Sequence, residues 1–262
     1  MAKTPAIAAD LGRRLHRALT ATADELFQVM LDPAMAVLRN ALKNRQLNED
    51  HLQSLLKRRD LSEDLLKAVA QLEQSKTSHG LKLALVKNPA TPGPIVLHLL
   101  PQLHLFELVG LCYTPGITPD QKYAVERAIL QRLPTTELGN RMTLARRATP
   151  TIVGEILKSG EPQLVEICLS NPRLREVAIL QFLNGATATA ETISMVARHP
   201  KWKTRPNLKM AILKNRRTPP IWYTVFLPGL RTPDLRNLLA SRRLAPAAKP
   251  IVEQELRKRL GR

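Results

Sequence analysis

Three arginine pairs, Arg146–Arg147, Arg216–Arg217 and Arg242–Arg243, stand where the chain is expected to turn between helices, and Lys201, Lys203 and Arg205 crowd the neighbouring segment HPKWKTRPNLK. Together with Lys214 they form a set whose chemistry is electrostatic. Cations at successive exposed corners make a stripe that can track phosphates. The excess charge is concentrated there: residues 1–131 hold 16 Lys and Arg against 13 Asp and Glu, and residues 132–262 hold 24 against 9. From Met195 onward 17 basic residues face 3 acidic ones. Such asymmetry points to a polyanionic partner, either nucleic acid (DNA or structured RNA) or an acidic protein or membrane surface. The plain alternative is a solvated ridge kept basic for solubility, because Lys and Arg are tolerated easily at exposed corners.

Other chemistries find less support. Trp202, set among Lys201, Lys203 and Arg205, is a candidate ligand contact through a base or sugar, the alternative being packing at an irregular corner. Trp222, in PPIWYTVFL, reads as core. With aromatics at 3% of residues, a backbone grip on duplex or structured RNA is favoured over single strands stacked on rings. His98, His104 and Glu107 invite a metal, but they straddle the break at Pro101 and lack the i, i+4 spacing of a helical zinc motif, so no metal is expected. His16, His51, His79 and His199 read as scattered, with no third ligand nearby. Cys112 and Cys168 lie in apolar helical contexts and are expected to be buried free thiols. No Gly-rich phosphate loop, nucleophile elbow or carboxylate pair is present, which disfavours an enzyme, and no cofactor or small-molecule substrate is implied.

What must position the basic corners is a set of short helices. The chain is poor in aromatics and rich in Leu, Ala, Lys, Arg and Pro, which argues for an all-helical fold. Its 20 prolines are tolerable when most sit between helices. LKLALVKNPATPGPIVLHLL, from Leu81, returns as LKMAILKNRRTPPIWYTVFL, from Leu208, and aligning 79–133 with 206–260 at constant offset gives about 18 identities in 55 positions. That self-similarity predicts a repeat architecture. At each corner Lys87 closes a helix, Asn88 is expected in the left-handed C′ conformation, Pro89 blocks further winding, Thr91 caps the next helix and Pro92 opens it. Lys214, Asn215, Thr218 and Pro219 repeat the pattern. Asn48 and Ser62 are further expected caps, each followed by two acids. Gln71–Gly80 reads as a long polar connection.

The expected organisation is residues 1–32 as an N-terminal tail with capping helices and residues 33–262 as one repeat array containing the duplication 79–133 and 206–260. The most hydrophobic window, PIVLHLLPQLHLFELVGLC, is interrupted by polar residues and reads as two core helices, so no integral membrane segment is expected. The N-terminus has no cleavable apolar run. A cytoplasmic location is the default, with a transit peptide as the alternative.

The corner KNPATP, with SNPRLR and KNRRTP as weaker forms, resembles the leucine-rich repeat variant family and, more loosely, HEAT and armadillo-like helical repeats, over about residues 33–260. The resemblance implies a right-handed α-solenoid of short helical pairs that serves as a binding scaffold. Some variant-repeat proteins carry an iron–sulfur cluster on clustered N-terminal cysteines, which this chain lacks. The chain is also similar in size, basic charge and helical repetition to HEAT-like alkylpurine DNA glycosylases, for which Asp234 with Trp202 or Trp222 would be the nominal catalytic set. The favoured expectation is a non-enzymatic scaffold that docks nucleic acid backbone along Lys201, Lys203, Arg205, Lys214, Arg216, Arg217, Arg242 and Arg243. A protein–protein scaffold recognising an acidic partner is the rival, and the neutral N-terminal half is left to hold a protein partner.

Overall fold

A computed structural model describes residues 4–261, with side chains from Asp10 onward; positions 1–3 of the expected N-terminal tail lie outside the described residues. Those residues fold into 19 α-helices and four short 3-10 segments with no strand. No helix among them is long and apolar enough to cross a membrane. The chain forms two compact units, the first ending at Ile129 and the second beginning at Leu130.

In the first unit the helix Thr4–Thr20 packs on Met35–Ala41, and Ala23–Val29 packs on Met35–Ala41 and Glu49–Leu56. Each start has a local cause. Thr22 and Glu25 form a reciprocal capping box, Asn48 accepts the His51 N–H, and Ser62 accepts that of Leu65, which satisfies backbone donors a helix start leaves unpaired. Leu26, Met30, Leu38, Leu52, Leu55, Leu65, Leu66, Leu81 and Leu85 fill the interior. The polar stretch Gln71–Gly80 is not the long connection its composition suggests. It holds the short helix Glu73–Thr77, and Ser78 then caps His79–Lys87 through the Leu81 N–H.

In the second unit each helix contacts the next but one. Leu138–Arg147 packs on Pro162–Ser170, Pro150–Leu157 on Glu176–Asn184, Pro162–Ser170 on Ala190–Arg198, and Glu176–Asn184 on Pro206–Lys214. The two similar stretches carry the same elements 127 positions apart: His79–Lys87 and Pro206–Lys214, Gly93–Leu99 and Pro220–Phe226, and the 3-10 turns Leu100–Gln102 and Leu227–Gly229 at Pro101 and Pro228. At the second of these turns Arg259, on the last helix Lys249–Leu260, donates to the carbonyls of Leu227, Pro228 and Leu230.

The corners differ from expectation in an instructive way. Asn88 is extended, with φ −79° and ψ 121°, and Asn171 and Asn215 share that conformation. Pro89 and Pro172 push the preceding residue toward that region, but Asn215, followed by Arg216, is extended as well, and what all three share is a tertiary bond. Asn88 Nδ2 donates to the carbonyls of Leu56 and Arg58 at 3.0 and 2.7 Å, while its Oδ1 accepts the Ala90 N–H. Asn44 does the same with Ala18 and Ala21, Asn171 with Ala145, and Asn215 with Leu183. Each asparagine thus bonds carbonyls 23–32 residues upstream, near the end of an earlier helix, where helices leave acceptors unpaired. Thr91 and Thr218 also turn backward: their hydroxyls donate to Leu85 and Ile212, and Pro92 and Pro219 take the N-cap position instead. At the TPGITP corner Gly116 has φ +85°, and an added Cβ would lie 2.5 Å from the Arg59 guanidinium.

Candidate functional site

Lys214 ends its helix, and Asn215, tied to Leu183, starts the corner that carries Arg216 and Arg217 outward. These three cations and Arg243 line a cavity of about 320 Å³ together with Asn184, Gly185 and Asn215. No carboxylate is in that lining. Arg216 Nη2 donates to the Arg242 carbonyl at 3.1 Å, so the two arginine-bearing corners touch. Arg217 is more constrained: Nη1 donates to the carbonyls of Ala186 and, at 2.9 Å, Ala188.

The last acids of the chain are engaged away from these cations. Asp234, Glu253 and Glu255, the acids that follow Met195, form ion pairs with Arg231, Arg257 and Arg259 on their own helices or one residue ahead of them. Lys214, Arg216, Arg217, Arg242 and Arg243 have no ion-pair partner among the described residues, nor do Lys201, Lys203 and Arg205. The last three are exposed on the segment after Ala190–Arg198 and do not line the cavity. Lys201 places Nζ 4.5 Å from the Trp202 ring centre and donates to Pro172 at 3.5 Å. His199 is held below its ordinary pKa, first by burial and then by Lys201.

Trp202 itself points inward. It is 3% exposed, and its indole N–H donates to the Leu169 carbonyl at 2.9 Å, so the ring is packed within the corner. Here an indole does what asparagine does at the other corners. Trp222 is half-buried, stacked on Phe226, and donates to Ser194. The Asp234 carboxyl is drawn below its usual range by the hydrogen bond from Arg231 and is engaged there.

Two groupings go beyond what the sequence pairs together. Lys57, Arg58, Arg59 and Lys87 line a cavity of about 430 Å³ in the first unit, again with no carboxylate in the lining. Lys87 and Asn88 match Lys214 and Asn215, and the basic run Lys57–Arg59 at a corner was the available signal. Arg58 is largely committed, bonding Asp60, Met30 and Asp32, and Arg59 donates to Pro115. The second grouping is His79, His104 and Glu107: His79, isolated in sequence, meets Glu107 at 2.7 Å, whereas His98 is not part of the cluster. Cys112 and Cys168 are buried free thiols whose pKa values burial pushes up to about 11 and about 12.

Comparison with protein-family models, curated proteins and solved structures returns no match.

Proposed function

We propose that the chain is a non-enzymatic helical-repeat protein, an α-solenoid of short helical pairs, whose second unit docks the backbone of duplex DNA or structured RNA. The observation that carries this reading is the cavity edged by Lys214, Arg216, Arg217 and Arg243 with no carboxylate in its lining, while the three acids that follow Met195 are engaged in ion pairs with other arginines. A mixed, self-neutralising ridge would suit solubility equally well; an uncompensated one creates a field that draws in polyanions. Lys201, Lys203, Arg205 and Arg242 extend the contact. The inward turn of Trp202 supports phosphate contact over base stacking. The repeat reading draws on the constant spacing of helices in the duplicated stretches and on the asparagine bonds to earlier helices.

The test is binding of the purified protein to labelled duplex DNA, structured RNA and single strands across a salt series. Phosphate docking predicts a log–log salt slope that steepens by roughly 0.9 for each phosphate neutralised on duplex DNA, with duplex or structured RNA bound more tightly than single strands. Absence of binding at low salt overturns the reading. So does affinity for every polyanion that survives Lys214→Glu with Arg243→Glu in a protein whose circular dichroism is unchanged.

A further inference from the structure

We propose that His79, His104 and Glu107 form a binding site for a divalent transition-metal ion, zinc foremost. His79 opens the helix His79–Lys87, His104 precedes the helix Leu105–Leu111, and Glu107 stands in that helix's first turn. The tertiary fold brings these starts together although 28 positions separate His79 from Glu107. His79 Nε2 lies 2.7 Å from Glu107 Oε2, the two imidazole centres are 4.4 Å apart, and one donor atom from each residue falls within 4.8 Å of the others. Ligand atoms about 2.0–2.2 Å from a tetrahedral ion sit roughly 3.3–3.6 Å apart. Modest side-chain rotation closes that gap, and the rings have room for it because the His79 side chain is 39% exposed and His104 lies at the surface. Two imidazoles and one carboxylate suit a borderline ion, and solvent supplies the fourth ligand.

The duplication supplies an internal comparison. The positions matching His79, His104 and Glu107 are Pro206, Arg231 and Asp234, and there the carboxylate is held by Arg231 alone, at 2.9 Å. A single ion pair therefore meets the structural need of this position. In the first copy His79 bonds the carboxylate, and the His104 ring, which also stands in the capping box at the start of its own helix, brings a donor atom within 4.8 Å of both, so two imidazoles and a carboxylate converge where the second copy has one ion pair. The positive ends of two helices count against a cation here; the Glu107 charge offsets them, and moderate affinity follows.

The experiment titrates the full chain, freed of chelatable metal and of any affinity tag, with cobalt(II) and then zinc. The expected result is one equivalent of cobalt with visible d–d bands that zinc displaces, and loss of about tenfold or more in affinity in His79→Ala and in Glu107→Gln, the scale of effect seen when metal-site groups are removed. Glu107→Gln keeps an oxygen for the His104 N–H and guards against a folding artefact; His104→Gln gives a third check. No binding at millimolar cobalt or zinc overturns the proposal. Undiminished binding in folded His79→Ala and Glu107→Gln also overturns it, since the ion would then sit on other histidines.

Discussion

The Arg216 guanidinium donates through Nη2 to the carbonyl oxygen of Arg242 at 3.1 Å, joining two basic corners that lie 26 positions apart. With Arg217 bound to Ala186 and Ala188, the arginine pair has a structural task beside any ligand task, whereas Lys214 and Arg243 line the cavity without such bonds. These cations should therefore separate experimentally. Lys214→Ala or Arg243→Ala is expected to leave the unfolding free energy within about 0.5 kcal/mol of the parent and to flatten the salt slope of duplex binding by about 1. Arg217→Ala should lower stability by about 1–3 kcal/mol, because it abandons carbonyls its guanidinium satisfies. Urea unfolding beside salt-dependent binding reads both; equal stability losses in all three variants would contradict the division.

Asn171 and Asn215 each tie an earlier helix to a later corner in the second unit, at 2.6 Å in both cases. Replacement by Ala is expected to cost about 1–3 kcal/mol at either site, since the carbonyls of Ala145 and Leu183 lose their donor. Asp in place of Asn171 should be worse than Ala, because an ionised carboxylate has no donor to offer and faces an acceptor. Equilibrium urea denaturation checks the order. A milder effect from Asp would argue that the amide bond is incidental.

Thr149 and Thr218 make a matched contrast. Both are buried at corners, but the Thr218 hydroxyl donates to Ile212 while that of Thr149 has no hydrogen-bond partner among the described residues. Thr218→Val should destabilise by about 1–2 kcal/mol, and Thr149→Val should be neutral or stabilising, because removing an unsatisfied buried hydroxyl recovers its desolvation penalty. Thermal unfolding of the two variants decides it.

The buried thiols and Tyr223 set an alkaline limit. Burial pushes Cys112, Cys168 and Tyr223 up to about 11, about 12 and about 12, from ordinary values of 9.0, 9.0 and 10.0. Above pH 9 the unfolded chain releases these protons and the folded chain does not. The unfolded state then binds fewer protons, so stability falls as pH rises. The loss should begin near pH 9 and continue toward pH 12, and it should shrink in Cys168→Ala after correction for that variant's own stability change at neutral pH. Native protein at pH 8 is expected to resist alkylation at both thiols and to react fully once denatured. Rapid alkylation of the native form would mean the thiols are accessible.

Most helix positions, though not the helix Glu73–Thr77, the spacing of the two similar stretches and the crowding of positive charge toward the C-terminus were legible in the sequence. Those signals are local or additive: a proline, a capping Ser62, a count of arginines. Tertiary structure decided the direction of the side chains at the corners. Asn88 looks like a left-handed helix terminator when only its neighbours are read, yet it lies extended because Leu56 and Arg58, some thirty positions earlier, present unpaired carbonyls to it. The same range explains Trp202, drawn inward by Leu169, and His79, brought to Glu107. No local pattern encodes such partners. A helix is specified within a few turns of its own sequence, but which carbonyl or carboxylate meets a corner residue depends on how successive helices stack, and that is settled only when the core closes.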